Sequence, residues 1–446
     1  MKVDAPVVAL THVRAIDGSG AAPLEDQTIL IEGGRIRAIG NVAKTPTPAG
    51  AKVVHLPGYT VIPGLVGMHG HMFYPSYVTP GLYLANNLAF SAPRLYLACG
   101  VTTMRTAGSI EPYTDLNLKK LIDKGKMPGP QIYVTSPYLE GPGAFTPHLH
   151  ELSGPEEARK MVEYWADLGV TSFRAYTNIT RAELAAAIDA AHKRGRKITG
   201  HLCSVGFREA AAMGIDGLEH GLIADTEFFP GKAPDVCPPR RTTGPLFAQL
   251  DMESAPVKEV IHDLVEHHVA IASTLAVWES AIPNRPPLQQ RLLDALLPEA
   301  RFDYLTARVR FADNPTTAPP AVVLKMEFEL AFVKTGGLLP AGNDPTGHGG
   351  VLPGFGDQRE VELLVEADFT PLEAIHIATA NGAEWLGETS RIGTLAPGKQ
   401  ANLVVMHRHP SKDISDIEKV EMVFKDGVGY DSAKLIESVR GMVALR

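Results

Sequence analysis

The chain has few cysteines, and their spacing argues against a fold held together by disulfides. Only three occur among 446 residues, at Cys99, Cys203 and Cys237. Disulfide-dependent domains are short and rich in cysteine, and thiolate metal sites need cysteine pairs at close intervals. The sequence therefore predicts neither a disulfide framework nor a thiolate metal site, and we expect Cys203 to be a buried, inert thiol.

Long apolar runs and an excess of basic charge are also missing. No stretch approaches the roughly 18 consecutive apolar residues that a membrane-spanning helix needs. Lysine and arginine number 42 against 50 aspartates and glutamates, which gives a formal net charge of −8. An acidic chain without a basic run is a poor partner for nucleic acid. We therefore expect a protein that binds neither membranes nor nucleic acid.

The first residues lack the apolar central region of a secretion signal. The sequence from Met1 to Pro6 is short, polar and mixed in character, which predicts a cytoplasmic protein. A secreted or periplasmic protein whose signal peptide had been removed would begin in the same way, so that alternative stays open.

Glycine and proline are plentiful and divide the chain into short elements. With 42 glycines and 35 prolines, many tight connections are expected. Alternating apolar and polar residues predict strands near both ends of the chain, at 7–16, 27–32, 35–40, 52–56, 402–406 and 420–425. Between the two ends, helical and strand patterns alternate, which is typical of a parallel sheet.

These patterns predict an α/β protein with two parts. Residues 61–386 are expected to form a (β/α)8 TIM barrel, which suits the length and the alternation. Residues 1–60 and 387–446 are expected to form a small composite β-sandwich domain. The segment 283–320 is longer than an ordinary connection, which predicts a helical lid or packing insert.

The most informative motif is a pair of histidines at the end of a buried strand. His69 and His71 are separated by one residue, so in an extended chain both side chains point to the same side. His201, His220 and Asp344 each follow a later predicted strand. The carboxyl ends of barrel strands meet at one face, so these five residues are expected to share one pocket. Imidazole and carboxylate groups are suitable ligands for a divalent metal.

At these residues the chain resembles the amidohydrolase superfamily of metal-dependent hydrolases. The tail segments Thr370–Ala383 and Gly393–Val405 also resemble that family. The region from His201 to Gly221 is most similar to the imidazolonepropionase-related branch, which includes metallo-dipeptidases and prolidase-like and ochratoxin-cleaving amidases. The resemblance implies the same barrel and a hydrolase that acts on carbon–nitrogen bonds.

The resemblance also implies a role for each of the five residues. His69 and His71 would hold a metal, while His201 and His220 would hold a second metal. In another arrangement His201 joins a single site and His220 contacts the substrate. Asp344 would be both ligand and general base, and His220 would help to polarise the substrate carbonyl. We expect a divalent cofactor, with zinc first, in one or two copies.

The main departure from the family pattern is Arg174. Binuclear members of the branch carry a carboxylated lysine in strand four, and the matching position is Arg174. A guanidinium stays charged and has no acceptor, so it cannot ligate a metal. One unit charge about 4 Å from a divalent ion costs roughly 8 kcal/mol at an effective dielectric of about 20. Three alternatives follow: one metal, two metals with Arg174 turned aside, or a metal-poor and inactive site.

We predict a hydrolase of an amide or peptide-like bond in a small substrate, such as an N-acyl amino acid or dipeptide. Arg174 and Tyr176 are the candidate substrate-binding residues, since the arginine fork matches a carboxylate. The rival predictions are a mononuclear cyclic-amide hydrolase or deaminase and a catalytically impaired barrel. Ser204 stands where mononuclear deaminases of the family carry a glutamate, which weakens the deaminase alternative.

Other side chains are candidates for the pocket rim, and the expected partners follow from the family. The rim candidates are Tyr74, Tyr77, His148, His150, Trp278 and His348. Besides a small-molecule substrate, the resemblance implies further copies of the same chain, in a homo-oligomer.

Overall fold

Strands from both ends of the chain pair in one sheet of nine strands. The computed structural model describes residues 2–79, 82–144, 146–239, 247, 249–314, 318–346 and 350–444. The sheet contains β1 (Lys2–Val3), β2 (Val7–Ala15), β3 (Leu24–Glu32), β4 (Arg35–Asn41), β5 (Lys52–His55), β6 (Tyr59–Pro63), β17 (Leu403–His407), β18 (Val420–Lys425) and β19 (Val428–Asp431). The N-terminal β6 pairs antiparallel with the C-terminal β17, which joins the two ends.

Hydrogen bonds join all nine strands into one continuous sheet. The reason lies in β2, whose nine residues pair with β3, β5 and β6 along different parts of its length. Hydrogen bonding therefore continues from the N-terminal strands to the C-terminal ones. A separate apolar cluster with members such as Leu10, Ile29, Leu403 and Phe424 packs on this sheet.

The central part of the chain supplies the parallel strands. One group is β7 (Leu65–Gly70), β10 (Val101–Thr106) and β11 (Gln131–Tyr133), and the other is β12 (Thr135–Leu139), β13 (Ser172–Ala175), β14 (Lys197–Gly200), β15 (Gly217–Glu219) and β16 (Ala270–Ala272). All pairs inside both groups are parallel. The fold is therefore α/β with parallel sheets, as predicted. Between β7 and β10 lies a hairpin, β8 (Phe73–Thr79) and β9 (Leu82–Asn87), that the sequence patterns did not indicate.

The segment 338–344 connects the first and last of these parallel strands. The Ile271 and Ser273 amides donate to the carbonyls of Leu338 and Pro340. On its other side, the Met68 amide donates to the Ala341 carbonyl, and the Asp344 amide donates to the His69 carbonyl at 2.9 Å. This segment therefore places Asp344 directly beside His69.

Helices follow most of the parallel strands. Those described are Ser91–Ala98, Pro112–Asp123, Pro155–Leu168, Arg181–Lys193, Phe207–Met213, Ala255–Glu266, Leu275–Glu279, Gln290–Ala295, Pro298–Asp313, Ala318–Lys334, Phe355–Glu366, Pro371–His376, Gly382–Trp385 and Ser432–Glu437. The predicted insert 283–320 contains the helices Gln290–Ala295 and Pro298–Asp313. Among the described helices, none combines the length and the apolar character needed to cross a bilayer.

The cysteine prediction is wrong for two of the three residues. Cys203 and Cys237 form a disulfide, with Cα atoms 5.0 Å apart, and only Cys99 is a buried free thiol. Cys203 lies in the loop after β14, and Cys237 lies in the longer connection after β15. Consecutive parallel strands bring these loops side by side, although 34 residues separate the cysteines in sequence.

Candidate metal centre

Three histidines and one aspartate converge at the carboxyl ends of the strands. His69 ends the buried strand β7, His71 follows it, and His220 follows β15. The Nε2 atoms of His69, His71 and His220 lie 3.7, 3.3 and 3.8 Å from carboxylate oxygens of Asp344. All four side chains are buried. The sequence motifs thus come together in space, although nearly 300 positions separate the first from the last.

In each of these histidines the second ring nitrogen, Nδ1, has a polar partner. The Nδ1 atom of His69 lies 2.7 Å from Oε2 of Glu219, and that of His71 lies 3.2 Å from the Gly108 carbonyl oxygen. The Nδ1 atom of His220 lies 2.8 Å from the Thr274 hydroxyl. A carboxylate and a carbonyl accept from Nδ1–H, which leaves Nε2 as the unprotonated nitrogen in His69 and His71.

The protonation states suit metal ligation. Burial lowers the pKa of His69 to about 4, against an opposing effect of Glu219. Burial, together with the positive potential of His201, also holds the pKa of His220 well below its usual value. Burial favours the neutral form of Asp344, but His69 and the hydrogen bond with His71 hold its pKa well below the usual range. Near neutral pH His69 and His220 are therefore neutral imidazoles and Asp344 is a carboxylate, the forms that bind metals.

His201 stands at the edge of this group. It follows β14, is only half-buried, and its ring centre lies 4.5 Å from that of His220. Its Nδ1 atom faces Nη2 of Arg174 at 3.4 Å. His201 is therefore adjacent to His220, and its Nδ1 atom faces a cation.

Arg174 lies among the histidines. It sits on β13, is 2 % exposed, and its Nη1 donates to the Ala107 carbonyl and to Nε2 of His69 at 3.1 Å. Its Nε has no hydrogen-bond partner within the described residues. The lone pair of His69 that would ligate a metal is the one that Arg174 now contacts. Arginine and metal therefore compete for the same nitrogen atom.

Tyr176, the second candidate substrate-binding residue, lies beside His201. The two ring centres are 5.1 Å apart, and Tyr138 packs on the other side of Tyr176 at 4.6 Å. The Arg174 guanidinium lies 5.6 Å from the Tyr176 ring centre. Arg174 and Tyr176 therefore share one wall of the site.

Two of the candidate rim residues are buried or near the site, and two are exposed. Tyr74 is buried, and the Trp278 ring centre lies 6.0 Å from that of His220. His148 and His150 are exposed, and His150 contacts Glu157 at 2.8 Å. His348 and the side chain of Tyr77 lie outside the described residues.

Sequence reasoning missed the residues behind the ligands. Glu219 is fully buried, and its second oxygen lies 2.7 Å from Nη2 of Arg105. Burial opposes ionisation of Glu219, but Arg105 and His69 hold its pKa well below the usual value. A glutamate inside an otherwise apolar strand, directly before His220, was the signal that could have identified it.

The donor set fits one divalent ion. His69, His220 and Asp344 each offer one ligand atom, and these atoms all lie within 4.8 Å of one another. Metal–nitrogen bonds of about 2.0–2.1 Å in a tetrahedral site separate neighbouring ligand atoms by about 3.4 Å. The distances from Asp344 to the three Nε2 atoms are close to that value. A second ion beside His201 would have to share its space with the Arg174 guanidinium.

Comparison with known proteins agrees with this geometry. Residues 347–428 match the model of the amidohydrolase family. Over 97 % of this chain and 98 % of the other, the structure is similar to a "putative prolidase" from Bifidobacterium longum, with 25 % identity and a TM-score of 0.68. The chain therefore resembles the amidohydrolase superfamily in this segment and in its fold. The predicted resemblance is thereby confirmed, and this chain is an enzyme that acts on carbon–nitrogen bonds.

Two further structures share the fold of this chain. A Xaa-Pro dipeptidase with bound methionine is 20 % identical, with a TM-score of 0.70 over 95 % of this chain and 100 % of that one. The ochratoxinase of A. niger is 19 % identical, with a TM-score of 0.68 over 99 % of this chain and 100 % of that one. No curated protein sequence matches the chain.

Proposed function

We propose that this amidohydrolase cleaves an amide or peptide-like bond of a small substrate with the help of one divalent metal. The observation that carries the proposal is the convergence of three Nε2 atoms on the Asp344 carboxylate. A divalent ion held there would polarise the substrate carbonyl and acidify a water molecule. Zinc is the ion that a site rich in imidazole favours first.

The residues of the candidate metal centre would have different roles in this reaction. The Asp344 carboxylate is ionised and partly screened from solvent, so it can accept a proton from water and pass it to the leaving nitrogen. His69, His71 and Asp344 would hold the metal, while His220 would either ligate the ion or face the substrate carbonyl. His201 takes part as a ligand only if Arg174 moves away from it.

The parallel strands support a closed barrel as the frame of this site. The segment 338–344 hydrogen-bonds to β16 on one side and to β7 on the other. The Ser109 amide donates to the Ser136 carbonyl, and the Thr135 amide donates to the Thr106 hydroxyl, which links the two parallel groups. We infer a ring of eight strands over residues 61–386, in which the consecutive β11 and β12 form one strand and the segment 338–344 is the eighth. Residues 1–60 and 387–446 then form the second domain.

The substrate class follows from the wall made by Arg174 and Tyr176. A guanidinium and a phenol next to the candidate centre would suit a substrate with a free carboxylate, such as a dipeptide or N-acyl amino acid. A prolidase, a Xaa-Pro dipeptidase and an ochratoxinase among the similar structures support this class. Arg174 would have to exchange at least one of its present contacts for the substrate.

A specific observation favours a second candidate, a barrel with impaired catalysis. The Arg174 guanidinium contacts Nε2 of His69 at 3.1 Å and so occupies the lone pair that the metal requires. If that contact persists in solution, the site holds no metal and the fold serves for binding alone.

Metal content separates the two candidates. We would measure it by elemental mass spectrometry on freshly purified protein, with His69→Ala as the control, and then assay a panel of dipeptides and N-acyl amino acids. One ion per chain that the control loses, together with hydrolysis, supports the proposal. Two ions per chain would show that the Arg174 side chain moves away from the histidines. A chain that binds no ion after reconstitution would leave only the catalytically impaired barrel as a candidate.

The cellular setting and assembly are also proposals. The disulfide between Cys203 and Cys237 favours an oxidising compartment, and so the secreted or periplasmic alternative over the cytoplasm. The expected homo-oligomer stays a prediction that the molar mass in solution tests.

A further inference from the structure

The least exposed polar cluster at the site lies behind His69. Glu219 and His69 are both 0 % exposed, and Arg105 is 2 % exposed. Oε2 of Glu219 accepts from Nδ1 of His69, and Oε1 accepts from Nη2 of Arg105, both at 2.7 Å. The carboxylate is therefore held between a ring nitrogen and a guanidinium.

Arg105 is itself fixed on three sides. Its Nε donates to the Met68 carbonyl at 2.9 Å, and its Nη1 donates to the Thr199 hydroxyl at 3.1 Å. The guanidinium carbon lies 5.0 Å from the centre of the Trp385 ring. Met68 and Thr199 lie on two different strands and Trp385 on a helix. The position of the guanidinium, and with it that of Glu219, is therefore set by regular elements and not by a loop.

The hydrogen bond from His69 to Glu219 determines which ring nitrogen of His69 carries the proton. A neutral histidine carries one ring proton, and a carboxylate can only accept a hydrogen bond. Glu219 therefore keeps the proton of His69 on Nδ1 and leaves the lone pair on Nε2, which accepts from Arg174 at 3.1 Å and lies 3.7 Å from the Asp344 carboxylate. Without the Glu219 acceptor, only the Arg174 contact opposes a proton on Nε2, and a metal that displaces Arg174 would remove that contact as well. Partners of this kind raise ligand basicity and fix the ring orientation.

We propose that Glu219, anchored by Arg105, is the positioning residue that selects the metal-binding tautomer of His69. The inference rests on the proposed metal-dependent function. It assigns to the glutamate before His220 a role that differs from ligation and from contact with the substrate. Arg105 acts one step further back, because it fixes the carboxylate and neutralises its charge.

The test uses Glu219→Gln, which keeps the size and shape of the side chain. Its amide can still offer an oxygen to Arg105, but it turns an NH₂ donor towards Nδ1 of His69. That donor stabilises the tautomer with the proton on Nε2, the wrong one for a metal. We expect zinc affinity, measured by competition with a chelator, to fall by about 10–100-fold.

Nuclear magnetic resonance of the histidines distinguishes a change of the His69 tautomer from a loss of stability. In the metal-free protein with ¹⁵N-labelled histidine, the His69 resonances, assigned with His69→Ala, should show the proton on Nδ1 in the wild type and on Nε2 in Glu219→Gln. Loss of stability alone would not move the proton.

Glu279→Gln is the matched control. Glu279 is also 0 % exposed and accepts from two arginines, Arg285 and Arg359, but no hydrogen bond with a histidine is among its described contacts. We expect this variant to lose stability to a similar degree while zinc affinity and the His69 tautomer stay unchanged.

The outcomes distinguish this inference from the proposed function. If the wild type binds no zinc, the metal-dependent function fails, while the tautomer measurement still judges the role of Glu219. If the wild type binds zinc and Glu219→Gln binds it equally well with the proton on Nδ1, the positioning role is overturned and the function stands. Equal losses of affinity in Glu219→Gln and Glu279→Gln would also overturn it.

Discussion

Arg174 is the residue on which the metal content of the site depends. Its Nη1 donates to Nε2 of His69, and its charge repels a divalent ion in the same space. Arg174→Met removes both the donor and the charge while keeping much of the apolar stem. We expect zinc affinity to rise at least about tenfold, which corresponds to about 1.4 kcal/mol.

The control for this change is Arg359→Met, which removes another largely buried arginine, one paired with Glu279 and Glu362. Its zinc affinity should equal that of the wild type. An unchanged affinity in Arg174→Met would show that the arginine already leaves His69 when the metal binds.

Asp115 gives the stability a dependence on pH. Burial raises the pKa of Asp115 to about 7, although the hydrogen bond from Ser109 opposes the shift. Because the folded pKa is higher than the unfolded one, the contribution of this group is complete below about pH 4 and is lost as the pH rises through 7. Asp115→Asn stays neutral, so its stability relative to the wild type should increase between pH 5 and pH 8, by the order of 2–4 kcal/mol.

Urea unfolding at the two pH values measures this difference. The exposed Asp313→Asn should show the same stability relative to the wild type at both. A constant difference for Asp115→Asn would mean that the wild-type carboxyl does not change its protonation over this range.

At the scale of single elements, the segment 338–344 depends on a glycine. A Cβ atom at Gly342 would lie 2.3 Å from Cβ and 2.4 Å from the amide nitrogen of His69. These are rigid neighbours, so Gly342→Ala must push the segment away from β7. We expect it to lower the thermal midpoint and to abolish metal binding, because Asp344 moves away from the histidines. A variant with native metal content would contradict this account.

The disulfide ties the loop after β14 to the connection after β15. The Thr226 hydroxyl also donates to the Cys203 carbonyl, and Lys232 Nζ donates to the Ser204 carbonyl at 2.6 Å. Replacing Cys203 and Cys237 by serine should lower the free energy of unfolding by about 2–4 kcal/mol. Cys99→Ala, which leaves the disulfide intact, is the comparison.

Thiol counts under denaturing conditions accompany the stability measurement. The unreduced wild type should show one free thiol, that of Cys99, and three after reduction. Three free thiols without reduction would exclude the disulfide and remove the argument for an oxidising compartment.

For the whole molecule, the metal should stabilise the fold. The candidate ligands come from β7, the loop after β15 and the segment 338–344, so an ion binds only where these elements are assembled. Zinc at a hundredfold excess over its dissociation constant should add about 2.7 kcal/mol to the free energy of unfolding. Calorimetry with and without chelator measures this shift, and His69→Ala should show none.

Much of this arrangement could be predicted from sequence, because it depends on local patterns. The terminal strands 7–16, 35–40 and 52–56 agree with the structure within a residue or two. His69, His71, His220 and Asp344 could be grouped because each follows a strand, and the carboxyl ends of parallel strands meet at one face. The length of the segment 283–320 predicted a helical lid or packing insert, and the segment contains the helices Gln290–Ala295 and Pro298–Asp313.

The tertiary structure alone decided the contacts between side chains that are distant in sequence. No local sequence pattern predicts the disulfide between Cys203 and Cys237 or the hydrogen bond between Glu219 and His69, which are 150 positions apart. The same is true of the contact between Arg174 and His69. The sequence determined the residue types and the strands that carry them. The register of neighbouring strands and the packing between the parallel sheets decided which of these residues meet, because side chains point according to backbone direction and not to their order along the chain.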